Sequence, residues 1–86
     1  MTSIIETARR FIQREFLPLE RPDFLTESTE LIRGGILDSI GILDLVAHLE
    51  EVYGIEVAPA EVDEVNFGTL AKIEGFVSSK VGPAKA

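Results

Sequence analysis

The chain has 86 residues, with fifteen carboxylates against eight lysines and arginines, one histidine, no cysteine and a formal charge of −7. This length suits one domain with one modest core, and a hydrophobic content of 45% argues against disorder. The negative charge disfavours nucleic acid and anionic membranes as partners. The missing cysteines exclude a disulfide framework, a thiolate nucleophile and a cysteine metal site.

Residues 3–16 read as an amphipathic helix, because Ile4, Ile5, Ala8, Phe11, Ile12 and Phe16 recur three or four apart. Ser3 and Glu6 form a capping-box pattern at its start, and Pro18 should stop it. Residues 17–37 carry no sustained period, and Pro18, Pro22 and Gly34-Gly35 mark a long loop. Phe24, Leu25, Leu31, Ile32 and Leu37 are its expected anchors, with one helical turn near Ser28–Ile32. Residues 39–53 read as the central helix, capped by Asp38 or Ser39 and stopped by Gly54. A short helical segment is expected over 59–64, with Pro59 in its first turn. Residues 69–79 form the last helix, capped by Thr69, with Leu70, Ile73, Phe76 and Val77 on one face.

No segment has a period of two. The fold class is therefore all-α: a small antiparallel four-helix bundle of three long helices and one short, with a long loop between helices 1 and 2. Residues 1–81 are expected to form a single domain and 82–86 a flexible C-terminal tail. The core should include Ile5, Phe11, Ile12, Phe16, Ile42, Leu45, Val46, Leu49, Leu70, Ile73 and Phe76. No apolar run approaches the ~20 residues of a membrane span, and no signal-peptide pattern opens the sequence. A cytoplasmic monomer is the expectation.

The charge is uneven. Residues 1–37 hold six acids and five arginines, a balance of −1, whereas residues 38–86 hold nine acids and three lysines, a balance of −6. The window 38–66 contains eight acids and no lysine or arginine, which suits either a solubilising face or a docking surface for a basic partner.

On a helical wheel the central helix has two apolar stripes. Ile42, Leu45, Val46, Leu49, Val52 and Tyr53 share the core sector, while Ile40, Leu43 and Ala47 fall on the nearly opposite side among Asp44, Glu50 and Glu51. The second stripe either packs under the long loop or is an exposed strip ringed by carboxylates, suited to a transient partner. Ser39 begins this helix. No His or Cys lies near it in sequence, and His48 lies well off its direction on the wheel. A serine activated within the chain is disfavoured, and no catalytic constellation marks an enzyme.

The run Gly35-Ile36-Leu37-Asp38-Ser39-Ile40, followed by an acidic helix ending Leu49-Glu50-Glu51-Val52-Tyr53-Gly54-Ile55-Glu56-Val57, resembles the acyl or peptidyl carrier proteins. The resemblance covers nearly the whole chain and implies a non-catalytic carrier. Ser39 would be the attachment site of 4′-phosphopantetheine and Asp38 the motif's acid. Ile40, Leu43 and Ala47 match apolar partner-contacting positions, and Asp44, Glu50 and Glu51 match acidic recognition positions. No metal of its own is implied.

The implied partners are a holo-carrier synthase (a phosphopantetheinyl transferase), a loading ligase and downstream acyl-processing enzymes. Gly41 departs from the acid common there in fatty-acid carriers. The Gly-Ile-Leu-Asp-Ser-Ile-Gly arrangement, and Asn66-Phe67-Gly68-Thr69-Leu70-Ala71-Lys72-Ile73, are closer to freestanding carriers served by adenylate-forming ligases, such as D-alanyl carrier proteins. A fatty-acid or polyketide carrier is the alternative. An unmodified acidic helical interaction module is the alternative of a different class.

Overall fold

Ser3 starts the first helix by accepting a hydrogen bond from the Glu6 backbone N–H at 3.0 Å. In the computed structural model, which describes residues 3–17 and 25–81, this helix, α1, runs Ile4–Phe16. Asp38 starts the second, α2, Ser39–Tyr53, by accepting from the Gly41 N–H at 2.7 Å. Gly54 ends α2 in the left-handed region at φ 66°, its N–H donating to the Glu50 carbonyl. The short segment expected over 59–64 is instead two pieces. A 3₁₀ turn spans Pro59–Glu61, and α3 spans Glu64–Phe67, started by Asp63 accepting from the Asn66 N–H. A second capping side chain, Asp63, lies between two weak starts and divides them. The last helix, α4, runs Leu70–Val81, two residues beyond the expected end, and Thr69 accepts from the Lys72 N–H.

The described residues are helical and looped, without a strand, as the absent two-residue period predicts. The tail expected from residue 82 and the anchor Phe24 lie outside the described residues.

α1 packs against α2 and α4, and α3 against α4. One apolar cluster joins them: Ala8 and Ile12 from α1, Leu45 and Leu49 from α2, Phe67 from α3, and Leu70, Ile73 and Val77 from α4 are fully buried. Each large side chain of this kind contributes about 1.5–3 kcal/mol on burial. Phe67, absent from the expected core, fills the space beneath Phe76, with ring centroids 5.1 Å apart. Ile5, Phe16 and Phe76 are only half-buried, at the edge of the cluster.

The α1–α2 seam is antiparallel. Phe16 lies against Gly41, the Phe11 ring stacks on His48 at 4.4 Å, and the Tyr53 hydroxyl donates to Thr7 Oγ1 at 3.0 Å. Val52, placed in the core sector by the wheel, is instead 50% exposed. At its level α1 offers Thr7, whose hydroxyl is taken up by Tyr53, and Arg10, whose head stays in water, and neither covers the valine.

The loop before α2 holds one helical turn, about two residues later than expected near Ser28–Ile32, where the Gly34 N–H donates to the Glu30 carbonyl at 3.0 Å, and further backbone hydrogen bonds order the rest. The Leu31 N–H donates to the Gly68 carbonyl at 2.8 Å, and the Ala71 N–H to the Glu27 carbonyl at 3.1 Å. The Leu31 carbonyl in turn accepts from the N–H groups of Ile36 and Leu37. Gly35, at φ 79°, makes the reversal that allows this. Leu25, Leu31 and Leu37 are buried anchors, and Ile32 packs at the edge. Arg9 adds a tether by donating Nε to the Leu25 carbonyl.

Candidate functional site

Ser39 is the first residue of α2 and is exposed. None of the hydrogen bonds among the described residues uses its hydroxyl. The two glycines, the Leu31 carbonyl and the Leu37 anchor fix the approach of the chain to this point. Asp38 spends Oδ1 on the Gly41 N–H, which leaves its other oxygen facing solvent.

Beside Ser39 opens a groove of about 390 Å³. Ile32, Leu37, Ile42 and Val62 give it an apolar floor, and Asp38, Asp63 and Glu64 give it an acidic rim. Glu64 on this rim pairs with Arg33.

The second stripe is exposed, so it does not pack under the loop. Ile40 is 71% and Leu43 58% accessible, and Ala47, Asp44 and Glu51 are exposed with them. Glu50 differs from its neighbours. It is half-buried, and its carboxylate accepts from the Val57 N–H at 2.8 Å, fastening the segment that follows α2.

Val65, 74% exposed on α3, is an apolar surface residue that the sequence did not single out. A helix of one turn has too little period to show which way its side chains face.

Gly41 is buried, and its place is taken up by packing. A Cβ there would come within 3.2 Å of two Phe16 ring atoms and 3.1 Å of Asp38 Oδ1. The glycine lets the Phe16 ring close over the first turn of α2.

No proton-accepting imidazole belongs to this site. His48 is nine residues along α2, half a turn round and about 13 Å up the axis from Ser39, stacked on Phe11. Among the described residues no three His, Cys, Asp or Glu side chains gather as a metal site. Glu61, on the 3₁₀ turn, has a displaced pKa. The hydrogen bond from Lys80, then that from the Ala58 N–H, hold its carboxyl below the ordinary value.

The site therefore offers an exposed hydroxyl with no imidazole beside it. It lies at a helix start, where the first backbone N–H groups lack helical partners and favour an anion. A groove with an apolar floor adjoins it.

Residues 12–77 match the family described as "Phosphopantetheine attachment site". The match spans most of the chain, and the protein belongs to this family of phosphopantetheine-binding carrier domains, which are carriers rather than catalysts. The chain is also similar to a D-alanyl carrier protein from Abiotrophia defectiva, with 34% identity over 47 residues, 55% of this chain and 60% of that protein. The matched part thus spans 60% of the length of that relative. Among the described residues no helix is long and apolar enough to cross a membrane.

Proposed function

We propose that this protein carries an acyl or aminoacyl group as a thioester on 4′-phosphopantetheine attached to Ser39, and that an adenylate-forming ligase loads it. The observation that carries the reading is the exposed, unengaged Ser39 hydroxyl at the start of α2, beside the groove. The prosthetic group supplies the thiol that this cysteine-free chain lacks. The chain's own residues position and present it. Ser39 contributes the oxygen of the phosphodiester, and the base that takes its proton comes from the transferase. Asp38 keeps the helix start in place, and its second oxygen is free for a metal ion that accompanies the donor's phosphates.

Ile40, Leu43 and Ala47 offer apolar contact to the holo-carrier synthase, the ligase and the downstream enzymes. Asp44 and Glu51 draw basic surfaces towards them. Such encounters are fast and weaken with salt, as a carrier visiting several enzymes requires. Donation from coenzyme A and ATP-dependent loading fit a cytoplasmic setting.

Two features favour the aminoacyl-type subclass over a fatty-acid or polyketide carrier. The likeness to a D-alanyl carrier protein is one. The other is Gly41, whose place against Phe16 leaves no room for the acid of the fatty-acid pattern without repacking.

The test is intact mass after incubation with coenzyme A and a phosphopantetheinyl transferase. Wild type gains one phosphopantetheine mass and Ser39→Ala gains none. An unmodified wild type, or a modified Ser39→Ala, overturns the assignment. ATP, an adenylate-forming ligase and a panel of amino and fatty acids then read the cargo. Loading of fatty acids alone would reject the subclass.

A further inference from the structure

The face of α2 that meets α1 holds a second groove, of about 310 Å³, unlike the first in charge. Phe11, His48 and Val52 form its floor, and Thr7, Arg10 and Arg14 form its α1 wall. The floor is largely apolar: the Phe11 and His48 rings stack on each other, 17° from parallel, and half of Val52 stays open to solvent. Arg14 lies over the Phe11 ring at 5.7 Å, so its guanidinium is held over the groove rather than swinging free.

Arg10 and Arg14 stand one helical turn apart on α1, both largely exposed. Each meets a carboxylate of its own helix through Nε, Arg10 with Glu6 and Arg14 with Glu15. A guanidinium has five N–H donors, so the outer nitrogens of both remain for a second acceptor. Exposed pairs of this kind are worth about 0–1 kcal/mol and yield readily to an incoming carboxylate.

We infer that this groove is a second docking surface, which takes an acidic protein segment bearing an apolar side chain. Charge complementarity selects that occupant. Window 38–66 repels acids, having no lysine or arginine, whereas α1 concentrates Arg9, Arg10 and Arg14. Two guanidiniums suffice for one or two carboxylates of a peptide, while a long polyanion would be repelled by the chain's net charge of −7. The apolar floor takes the side chain beside those carboxylates.

The position matters as much as the chemistry. His48 is half a turn and about 13 Å from Ser39, so a segment seated here leaves Ser39, Ile40 and Leu43 clear. An enzyme or scaffold could hold the carrier by this face while the other face exchanges partners. The inference does not depend on Ser39 being modified.

The test uses isotope-labelled full-length protein and two synthetic peptides, one built on Leu-Glu-Glu-Leu and one on Leu-Lys-Lys-Leu, followed by amide chemical shifts. The acidic peptide should shift the amides of Thr7, Arg10, Arg14, His48 and Val52, and the basic one those of Leu43, Asp44 and Glu51. The double variant Arg10→Gln, Arg14→Gln should bind the acidic peptide about tenfold more weakly. Val52→Asp, at a half-exposed site that tolerates a charge, should abolish the shifts while melting near the wild-type temperature. Acidic-peptide shifts that fall elsewhere, are absent, or survive both variants would overturn the inference.

Discussion

Replacing Gly41 by alanine sets two effects against each other. Helix propensity favours alanine by ~1 kcal/mol in a helix interior, and by less in the first turn, where residue 41 sits. Against this, the new Cβ would lie 3.2 Å from two Phe16 ring atoms and 3.1 Å from Asp38 Oδ1. Both neighbours must give by a few tenths of an ångström. Overpacking of this kind costs about 1–3 kcal/mol. Displacing the Asp38 carboxylate also weakens the cap at the Gly41 N–H, itself worth ~1 kcal/mol.

The net expectation is a loss of about 1–2 kcal/mol. In a domain of this size each kcal/mol lowers Tm by about 4–8 °C. Thermal and urea unfolding of Gly41→Ala against wild type measures it. Phe16→Ala removes the ring, so Gly41→Ala made in that background should be neutral or stabilising. The cycle should show a coupling of about 1 kcal/mol. A Gly41→Ala protein more stable than wild type, with no coupling to Phe16, would refute the claim that the glycine is there for the ring.

Two further outcomes follow from the site. Asp38→Ala should cost about 1 kcal/mol by removing the cap, whereas Asp38→Asn keeps a capping oxygen and should stay within a few tenths. If Asp38→Asn nevertheless accepts phosphopantetheine more slowly, the charge serves the transfer, and equal rates would restrict Asp38 to capping. Glu61 supplies a pH signature. Its carboxyl titrates below the ordinary 4.5, so its contact with Lys80 stabilises the fold fully above that value. The contribution fades as pH falls through the lowered value. Glu61→Gln should therefore flatten the acid limb of stability against pH, and an unchanged limb would show that the pair contributes nothing.

The three long helices were legible because each carries several turns of period and a capping side chain. Ser3, Asp38, Thr69 and Gly54 act at the ends where local chemistry places them. The place of Ser39 at the start of α2 was legible through the capping signal before it, and the exposure of Ile40 and Leu43 was one of the two readings of the wheel. What the wheel could not show depends on neighbours distant in sequence. Val52 shares a sector with Leu45 and Leu49, and only the polar residues opposite it on α1 leave it bare. Glu50 reads like Glu51 until Val57 folds back to donate to it. Phe67 lies in a one-turn helix with no period to mark it, yet it is fully buried. Gly41 is visible as a departure from a pattern, but its reason is a ring more than twenty residues earlier.

The backbone hydrogen bonds from Leu31 to Gly68 and from Ala71 to Glu27 have a consequence for the order of events in the cell. The segment that presents Ser39 is tied to residues made much later. A nascent or truncated chain ending before Gly68 has the serine and its motif but lacks the partners that fix their approach. An ordered approach to Ser39 thus waits until the chain has been made past Ala71, and that order reports that residues 68–71 are in place.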